Sequence, residues 1–340
     1  MTSTVELEIA EQPLILQRLI ARPDWDGLTR RIAASAREGG LTVARGSSDN
    51  AATYFGYLVL VHAKLPVASI PPSVATLYHR RPRGAGRVAV GVSQSGSSPD
   101  VVAALEAMRG GGALTLAVTN DGASPLARAA DLTVALGCGR EVSVAATKTF
   151  TASLVALAAL ALRWGERREL VAALERVPEA CARALDVDVL DASHVLARAP
   201  DAFVLGRGFG TGIASEGALK LKEVARVRAE GMSAAEFLHG PLASVEPGTP
   251  VVVLVPSDEA ARTPTLEVAR RIGAAGAKLI LVGGASEKDA IIIDAGSELP
   301  GELAPIAQAI ALQRLAVATA RARGVDPDAA RNVAKVTRTW

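Results

Sequence analysis

The segment 215–223 holds the side chains best suited to moving protons in this sequence. Glu216, Lys220 and Glu223 lie at positions i, i+4 and i+7, so in a helix they share one face. Carboxylates beside an amine can act as acid and base, and the amine can also form an imine with a carbonyl compound. A surface helix with ordinary salt bridges would carry the same charges, so both interpretations stay open.

Lysine is scarce in this chain, which contains seven Lys and 30 Arg. Because Arg serves wherever a plain positive charge is needed, a Lys in a motif indicates an amine that can lose a proton or form an imine. The scarcity therefore weakens the surface interpretation of Lys220. Another of the seven is Lys335, in a C-terminal tail that could either fray or fold over a site.

His239 is one of four histidines and precedes Gly240 and Pro241, which places it in a turn. Histidine titrates near neutral pH and can shuttle protons. A structural role is more common for a single histidine, so this position indicates a site only in combination with others.

The octapeptide 93–100, Ser-Gln-Ser-Gly-Ser-Ser-Pro-Asp, follows the apolar run 87–92 and precedes a helical pattern. Ser98 suits the N-cap, Pro99 the first helical position and Asp100 the positive end of the helix dipole. Hydroxyls, an amide and free backbone N–H groups at a helix start are suited to holding a phosphate through hydrogen bonds. An ordinary capped turn would look the same. The candidate phosphate ligands are Ser93, Gln94, Ser95 and Ser98.

Two further loops are expected to contribute. Residues 45–50, which include Ser48, follow the first predicted strand, and adjacent βα loops converge on one crevice of a parallel sheet. Residues 144–150 open a long helical stretch, 147–183, where backbone amides and Thr147 can contact sugar hydroxyls. Each loop alone is also explained as a capped turn.

Short β-branched runs alternate with helical patterns along the chain, which is typical of a parallel sheet covered on both faces. Four runs recur at an offset of roughly 160 residues, as a tandem duplication would produce. We therefore predict an α/β fold with two doubly wound parallel sheets flanked by helices. The predicted strands are 41–44, 88–92, 113–118 and 132–136, then 202–206, 250–255, 278–282 and 290–294.

Composition excludes several classes of protein. The 340 residues are 49% hydrophobic and carry a net charge of +2 without a concentrated basic face, so nucleic-acid binding is not expected. The N-terminus has no apolar h-region, and the longest apolar run, 154–162, is too short to span a bilayer. We expect a cytoplasmic protein without membrane association.

No cofactor or metal is expected. The two cysteines, Cys138 and Cys181, fit neither a metal-ligand spacing nor a disulfide framework. The glycine-rich loop 206–212 invites a dinucleotide interpretation, but Thr211 stands where the third glycine of G-x-G-x-x-G belongs.

Six blocks of this sequence, in order, resemble the sugar isomerase (SIS) domain family, most closely the isomerase half of the glucosamine-6-phosphate synthases. The resemblance implies two tandem SIS domains over 38–185 and 186–325, a helical arm over 1–37 and a tail over 326–340 that closes over the active site. The blocks are 8–13, 93–96, 147–151, 216–223, 239–242 and 331–335.

The resemblance also implies roles for single residues. Glu223 matches the base that moves a proton between C1 and C2, His239 the residue that opens the sugar ring, and Lys220 the lysine that forms an imine with the ketose. Lys335 matches the tail lysine that closes over the substrate. The family's histidine reaches the neighbouring subunit's active site, which implies a homodimer. The implied substrate-binding positions are Ser48, Ser93, Gln94, Ser95 and Ser98 for the 6-phosphate, with Val144 and Thr147 at the sugar.

Departures from the synthase pattern shift the expected reaction. Residues 97–100, Ser-Ser-Pro-Asp, stand where the synthases have Glu-Thr, and resemble the stand-alone deaminases; Ala146 replaces a serine. No glutaminase segment is recognised, so ammonia from glutamine is not expected. We predict isomerising deamination of glucosamine 6-phosphate to fructose 6-phosphate and ammonia. The alternatives are a synthase-like or aldose–ketose isomerase, and a non-catalytic sugar-phosphate sensor, against which the combination of Glu223, His239 and Lys220 argues.

Overall fold

A computed structural model describes residues 2–335, in which ten strands form two parallel sheets of five strands each. The first sheet contains β1 (Gly40–Val43), β2 (Val67–Ser69), β3 (Val88–Val92), β4 (Leu114–Thr119) and β5 (Leu132–Ala135). The second contains β6 (Asp201–Gly206), β7 (Arg228–Ser233), β8 (Pro250–Leu254), β9 (Lys278–Val282) and β10 (Ile291–Ile293).

Helices precede, connect and follow these strands. They are α1 (Thr4–Ala10), α2 (Gln12–Ile20), α3 (Trp25–Ser35), α4 (Ser47–His62), α5 (Ser73–Thr76), α6 (Pro99–Gly110), α7 (Pro125–Ala129), α8 (Lys148–Trp164), α9 (Arg168–Ala173), α10 (Val177–Ala184), α11 (Leu190–Arg198), α12 (Thr211–Ala225), α13 (Ala234–Phe237), α14 (Glu259–Ala274) and α15 (Ala304–Ala322). None in the described part of the chain is long and apolar enough to cross a membrane.

The two sheets have the same topology. The first runs β2-β1-β3-β4-β5 and the second, read from its other edge, β7-β6-β8-β9-β10, with every pair parallel. This order of 2-1-3-4-5 is a doubly wound arrangement in which helices cover both faces. The predicted α/β class and the two tandem domains of one topology are therefore confirmed.

The chain forms two compact units, each built around one sheet. The unit around the first sheet, sheet A, comprises 14–141, 148–175 and 334–335, and the unit around the second sheet, sheet B, comprises 2–13, 142–147 and 176–333. The short segment 142–147 thus clusters with the sheet-B unit, although the residues on both sides of it cluster with the sheet-A unit.

Each core is aliphatic. Strands β3 and β8 are buried along their whole length, and in α8 nearly every side chain from Lys148 to Trp164 is buried. A helix that is apolar on all sides belongs in a protein core, and α8 packs there against α3 and α4 of the same unit.

Two strands were missed by the sequence analysis, and both lie at sheet edges. β2 has only three residues, and β7 reads Arg-Ala-Glu-Gly-Met-Ser, without an apolar run. An edge strand has one neighbour and faces solvent, so it does not need the continuous apolar pattern by which central strands are found.

The single helical stretch predicted for 147–183 is interrupted after Trp164. Gly165 lies against the end of α4, where an added Cβ would come within 2.6 Å of the Cβ of His62, and Glu166 adopts a left-handed φ of 56°. The close approach of two backbones breaks the helix, and α9 starts at Arg168.

Two Gly→Ala substitutions in the sheet-A unit should shift stability in opposite directions. Gly27 lies in α3, and no atom lies within 4 Å of the position that a Cβ would take there, so Gly27→Ala should raise the free energy of unfolding by about 0.5–1 kcal/mol. Gly165→Ala should lower it by about 1–3 kcal/mol because backbone atoms must move. Urea denaturation followed by circular dichroism measures both, and equal effects would contradict the packing described.

Candidate functional site

The turn after β3 is held tightly by hydrogen bonds within the sheet-A unit. The N–H of Ser93 donates to the carbonyl of Val118 at 3.0 Å, and the N–H of Gly96 donates to the Ser93 hydroxyl at 3.2 Å. Gly96 has a φ of 60°, and a Cβ there would lie 2.1 Å from Oγ of Ser124. The turn therefore requires glycine at this position.

The helix start agrees with the sequence prediction. Ser98 is the N-cap of α6 and Pro99 its first residue, but the Ser98 side chain makes no capping hydrogen bond. Its hydroxyl is therefore not consumed by the helix. In the described part of the chain, the turn's own hydrogen bonds also leave the N–H groups of Gln94, Ser95 and Ser98 without an acceptor. These groups can bind an anion.

An ion pair fastens the loop after β1 to this helix start. Nε and Nη2 of Arg45 each lie 2.9 Å from Oδ2 of Asp100, whose side chain is 1% exposed. Three residues after Arg45, half-buried Ser48 lies in the first turn of α4. The structure thus ties the loop that carries Ser48 to the helix start that carries Ser98, and both follow adjacent strands.

The carboxyl ends of the corresponding strands in sheet B leave little room for a ligand. The side-chain amide of Gln308 donates to the carbonyls of Val255 and Val282, at 2.9 and 3.3 Å. The cavity that remains beside the loops after β6 and β8 measures about 10 Å³, which is room for about one water molecule. Of the two equivalent edges, the one in the sheet-A unit has the hydroxyl-rich loops.

A buried carboxylate shapes the segment that carries Val144. Glu8 of α1, 3% exposed, accepts hydrogen bonds from the N–H of Val142, the N–H of Ser143 at 3.2 Å and the Ser143 hydroxyl at 2.5 Å. All of these residues belong to the sheet-B unit. Val144 itself is half-buried. The backbone of 142–144 is therefore positioned by a helix more than 130 residues earlier in the sequence.

Thr147 closes this segment and is buried. Its carbonyl accepts a hydrogen bond of 3.4 Å from Gln313 of α15, and Gln313 in turn accepts one of 2.8 Å from Gln12. This network within the sheet-B unit fixes the backbone of Thr147.

The charged face predicted on 215–223 is present on α12, but it is buried. Nζ of Lys220 lies 2.5 Å from Oε2 of Glu223 and 3.2 Å from Oε1 of Glu216. The side chains of Lys220 and Glu216 are 2% and 3% exposed, whereas that of Glu223 is 23% exposed. The surface-helix interpretation is therefore wrong, and Glu223 is the member of the triad that a ligand can reach.

The triad holds Lys220 as an ammonium. Burial lowers the pKa of Lys220, but the charges of Glu216 and Glu223 outweigh this effect and raise it above the ordinary value of 10.5. The stabilisation from these ion pairs is complete below pH 10.5 and is lost as the pH rises through the higher folded-state value. An amine that attacks a carbonyl must first lose this proton, and adjacent Glu223 is placed to accept it.

His239 lies in an exposed turn between α13 and a short 3₁₀ helix, Pro241–Ser244. Its N–H donates to the carbonyl of Glu236 at 2.9 Å, while its imidazole makes no hydrogen bond or ion pair within residues 2–335. The turn prediction is confirmed. Donation of His239 to a neighbouring subunit stays a prediction.

Lys335 is bound to a buried carboxylate of the sheet-A unit. Its Nζ lies 2.6 Å from Oε2 of Glu141, which also accepts hydrogen bonds from the hydroxyl and the N–H of Thr149, at 2.8 and 3.1 Å. Glu141 therefore anchors the tail at Lys335. The residues beyond it, 336–340, lie outside the described part of the chain.

Four residues of these contacts were missed by sequence reasoning: Glu8, Arg45, Asp100 as an ion-pair partner, and Glu141. Glu8, Arg45 and Asp100 lay in segments that the sequence analysis had singled out for other reasons, whereas Glu141 lay in none. A usable signal was the charge of Asp100 beside the polar turn, since a carboxylate at a helix start next to a buried strand needs a partner.

Removing the Lys220 charge should destabilise the sheet-B unit strongly. Lys220→Met leaves two neighbouring carboxylates, one of them buried, without a cation, which should cost about 3–5 kcal/mol of unfolding free energy. The double variant Lys220→Met with Glu216→Gln should recover most of this loss. Urea denaturation of the single and double variants measures the loss of unfolding free energy. A double variant as unstable as the single one would show that packing, not charge, is responsible.

Glu8→Gln should loosen the segment 142–147. The amide retains one acceptor oxygen for the three donors, so the N–H groups of Val142 and Ser143 should exchange with solvent about tenfold faster or more. Hydrogen-exchange mass spectrometry measures this, and Glu11→Gln, an exposed position one residue past α1, is the matched control. Unchanged protection in Glu8→Gln would rule out the positioning role.

Comparison with known proteins adds to this geometry. The SIS domain matches residues 41–163 and 195–291, one stretch for each sheet. The glutamine–fructose-6-phosphate aminotransferase [isomerizing] of Bradyrhizobium diazoefficiens is 32% identical over 352 residues, which cover 96% of this chain and 57% of that protein. The enzyme of that name from Pyrobaculum aerophilum is 40% identical over 259 residues, covering 73% and 43%. The chain therefore spans about half the length of these relatives.

Solved structures give the same result. A candidate phosphosugar isomerase from Silicibacter pomeroyi superposes with a TM-score of 0.89 at 38% identity, over 96% of this chain and 100% of that one. The C-terminal domain of glucosamine-fructose-6-phosphate aminotransferase from Francisella tularensis has a TM-score of 0.87 at 28% identity, over 96% and 98%. The glucosamine-6-phosphate deaminase of Thermotoga maritima shares the fold, with a TM-score of 0.77 at 23% identity over 99% and 100%. With two sheets of one topology, each matched by the same domain, the chain belongs to the SIS domain family.

Proposed function

We propose that this protein is an isomerising deaminase that converts glucosamine 6-phosphate and water to fructose 6-phosphate and ammonia. The observation that carries the proposal is the buried triad on α12. A partly exposed carboxylate, Glu223, lies 2.5 Å from the buried Lys220 ammonium, where a ligand can reach it and where it is placed to carry a proton. Binding a sugar phosphate needs no such group.

The first step opens the sugar ring. His239 donates a proton to the ring oxygen and accepts one from the C1 hydroxyl, so that the open-chain aldehyde forms. Its exposed imidazole fits a residue that serves the active site of a second copy of the chain, as the family resemblance implies. We accordingly propose a homodimer.

The second step moves one proton between neighbouring carbons. Glu223 takes the proton from C2, while the C1 carbonyl oxygen accepts the electron pair and a proton from the substrate ammonium to give an enolamine. Glu223 then returns its proton to C1. The product is an imine between C2 and the amino nitrogen. Water adds to C2, the C–N bond breaks, and ammonia leaves with fructose 6-phosphate.

The substrate amine supplies the nitrogen for this imine, so Lys220 need not do so. Lys220 can form an imine with the ketose once its ammonium has transferred a proton to Glu223. In the resting state Lys220 is ion-paired with Glu223, and Lys335, ion-paired with Glu141, closes the tail over the substrate.

The end of the substrate that does not react is the anchor. We assign the 6-phosphate to Ser93, Gln94, Ser95 and Ser98 with Ser48, since the turn's free N–H groups and the uncapped Ser98 hydroxyl suit an anion. Val144 and Thr147 lie on a backbone fixed by Glu8 and Gln313 and would meet the sugar. A remote anchor can hold C1 and C2 at the base.

A second candidate is the synthetic direction, in which fructose 6-phosphate gains nitrogen. It is favoured by the aminotransferases that are 32–40% identical to this chain. Deamination is favoured by the turn 97–100, Ser-Ser-Pro-Asp, and by Ala146 in place of the synthase serine. We also expect the protein to act in the cytoplasm without nucleic-acid or membrane partners.

An ammonia assay separates these candidates. Incubation with glucosamine 6-phosphate should release ammonia and fructose 6-phosphate in equal amounts. Glu223→Gln should lower kcat by about a hundredfold or more because the proton carrier is lost, while Glu246→Gln, at an exposed loop position, should behave as the wild type.

Three other outcomes would replace the proposal. Interconversion of glucose and fructose 6-phosphates without ammonia indicates a plain isomerase. Formation of glucosamine 6-phosphate from fructose 6-phosphate and ammonium, without the reverse reaction, indicates a synthase-like domain. Binding without turnover of any hexose or hexosamine phosphate indicates a sensor.

A further inference from the structure

Arg45 is a cation placed at the edge of an otherwise uncharged set of phosphate ligands. Its Nε and Nη2 both reach Oδ2 of Asp100 at 2.9 Å, while Oδ1 of Asp100 accepts the N–H of Val101 at 2.9 Å. The carboxylate is almost completely buried, and both of its oxygens accept hydrogen bonds. It therefore fixes the guanidinium beside the first turn of α6, whose N-cap is Ser98.

The guanidinium has donors to spare. Arginine has five N–H groups in a planar fork, of which Asp100 engages those of Nε and Nη2. The Arg45 side chain is 54% exposed, so its other N–H groups remain accessible. A planar fork that is held rigidly by a carboxylate is well suited to a phosphate.

The surrounding charges make such a cation necessary. Two carboxylates face Arg45, Asp100 from α6 and Asp49 from the first turn of α4. Burial raises the pKa of Asp49, and Arg45 offsets part of that shift. A phosphate dianion that enters beside these groups would meet net negative charge if Arg45 were absent.

We propose that Arg45, positioned by Asp100, makes this site selective for a phosphorylated sugar over the unphosphorylated one. The inference rests on the proposed function for the identity of the sugar, but it concerns a residue to which neither the turn pattern nor the family resemblance gave a role.

The test uses three variants of the full chain: Arg45→Gln, the double variant Arg45→Gln with Asp100→Asn, and Arg87→Gln. Arg87 is the matched control because it also forms an ion pair of 2.9 Å, with Glu38. It lies immediately before β3, at the amino-terminal ends of the strands, whereas Arg45 lies at their carboxyl ends. The double variant removes both charges, so Asp100 is not left buried without a partner.

In Arg45→Gln, the dissociation constant of inorganic phosphate, measured by calorimetry, and the KM for glucosamine 6-phosphate should both rise about tenfold or more. kcat should change by less than about twofold, since the phosphate lies far from the reacting carbons. Weak binding of unphosphorylated glucosamine should be unaffected, and Arg87→Gln should match the wild type.

The double variant separates recognition from structure. If Arg45 recognises phosphate, the double variant keeps the weakened phosphate binding of Arg45→Gln. Recovery of wild-type affinity in the double variant would overturn the proposal, because Arg45 would then only neutralise Asp100. Unchanged affinity in Arg45→Gln, or wild-type protein that binds no inorganic phosphate, would overturn it as well.

Phosphate binding also keeps this inference apart from the deaminase proposal. Wild-type protein that binds inorganic phosphate in an Arg45-dependent way but releases no ammonia would refute the deaminase proposal and leave the role of Arg45 intact. Ammonia release with a KM that is unchanged in Arg45→Gln would refute the role of Arg45 and leave the deaminase proposal intact.

Discussion

The strand order 2-1-3-4-5, built twice, is the constraint on which the rest of this structure depends. Between the first and third strands the chain leaves the sheet towards opposite faces, so the loops there diverge and open a crevice at the carboxyl ends. In sheet A the chain lines that crevice with hydroxyls and the Arg45–Asp100 pair. In sheet B, Gln308 bonds to the carbonyls at the ends of β8 and β9 and lines the small cavity that remains beside the loops after β6 and β8. One backbone geometry thus carries polar, hydroxyl-rich loops in one unit and closely packed ones in the other.

Buried carboxylates hold the loops and the tail of the candidate site in place. Glu8, Asp100 and Glu141 are all almost fully buried, and each holds a different loop or tail. Taking a carboxylate out of water is costly unless its oxygens are hydrogen-bonded. An aliphatic contact would cost less desolvation free energy, but it is non-directional. A carboxylate that accepts hydrogen bonds from two or three N–H or O–H groups fixes the direction of the backbone.

Local patterns in the sequence predicted the parts of this fold that depend on neighbours along the chain. β3 and β9 begin and end where the apolar runs do, and Ser98 and Pro99 take the cap and first positions of α6. The face shared by Glu216, Lys220 and Glu223 follows from helix periodicity alone, but its burial does not, because that depends on what packs over α12.

Long-range pairs could not be predicted in this way. Arg45 and Asp100 are 55 residues apart, and Glu8 and Ser143 are 135 apart. A period of 2.0 or 3.6 residues carries no information at such separations. The edge strands and the break at Gly165 were missed for the same reason, since both depend on what another part of the chain leaves exposed or brings close.

The membership of 142–147 in the sheet-B unit means that the two halves are not interchangeable modules. A gene fragment that encodes 38–185 alone would contain Ser143 without Glu8, and one that encodes 186–325 would lack the segment altogether. Because Glu8 lies outside both fragments, neither of them would hold 142–147 as the whole chain does.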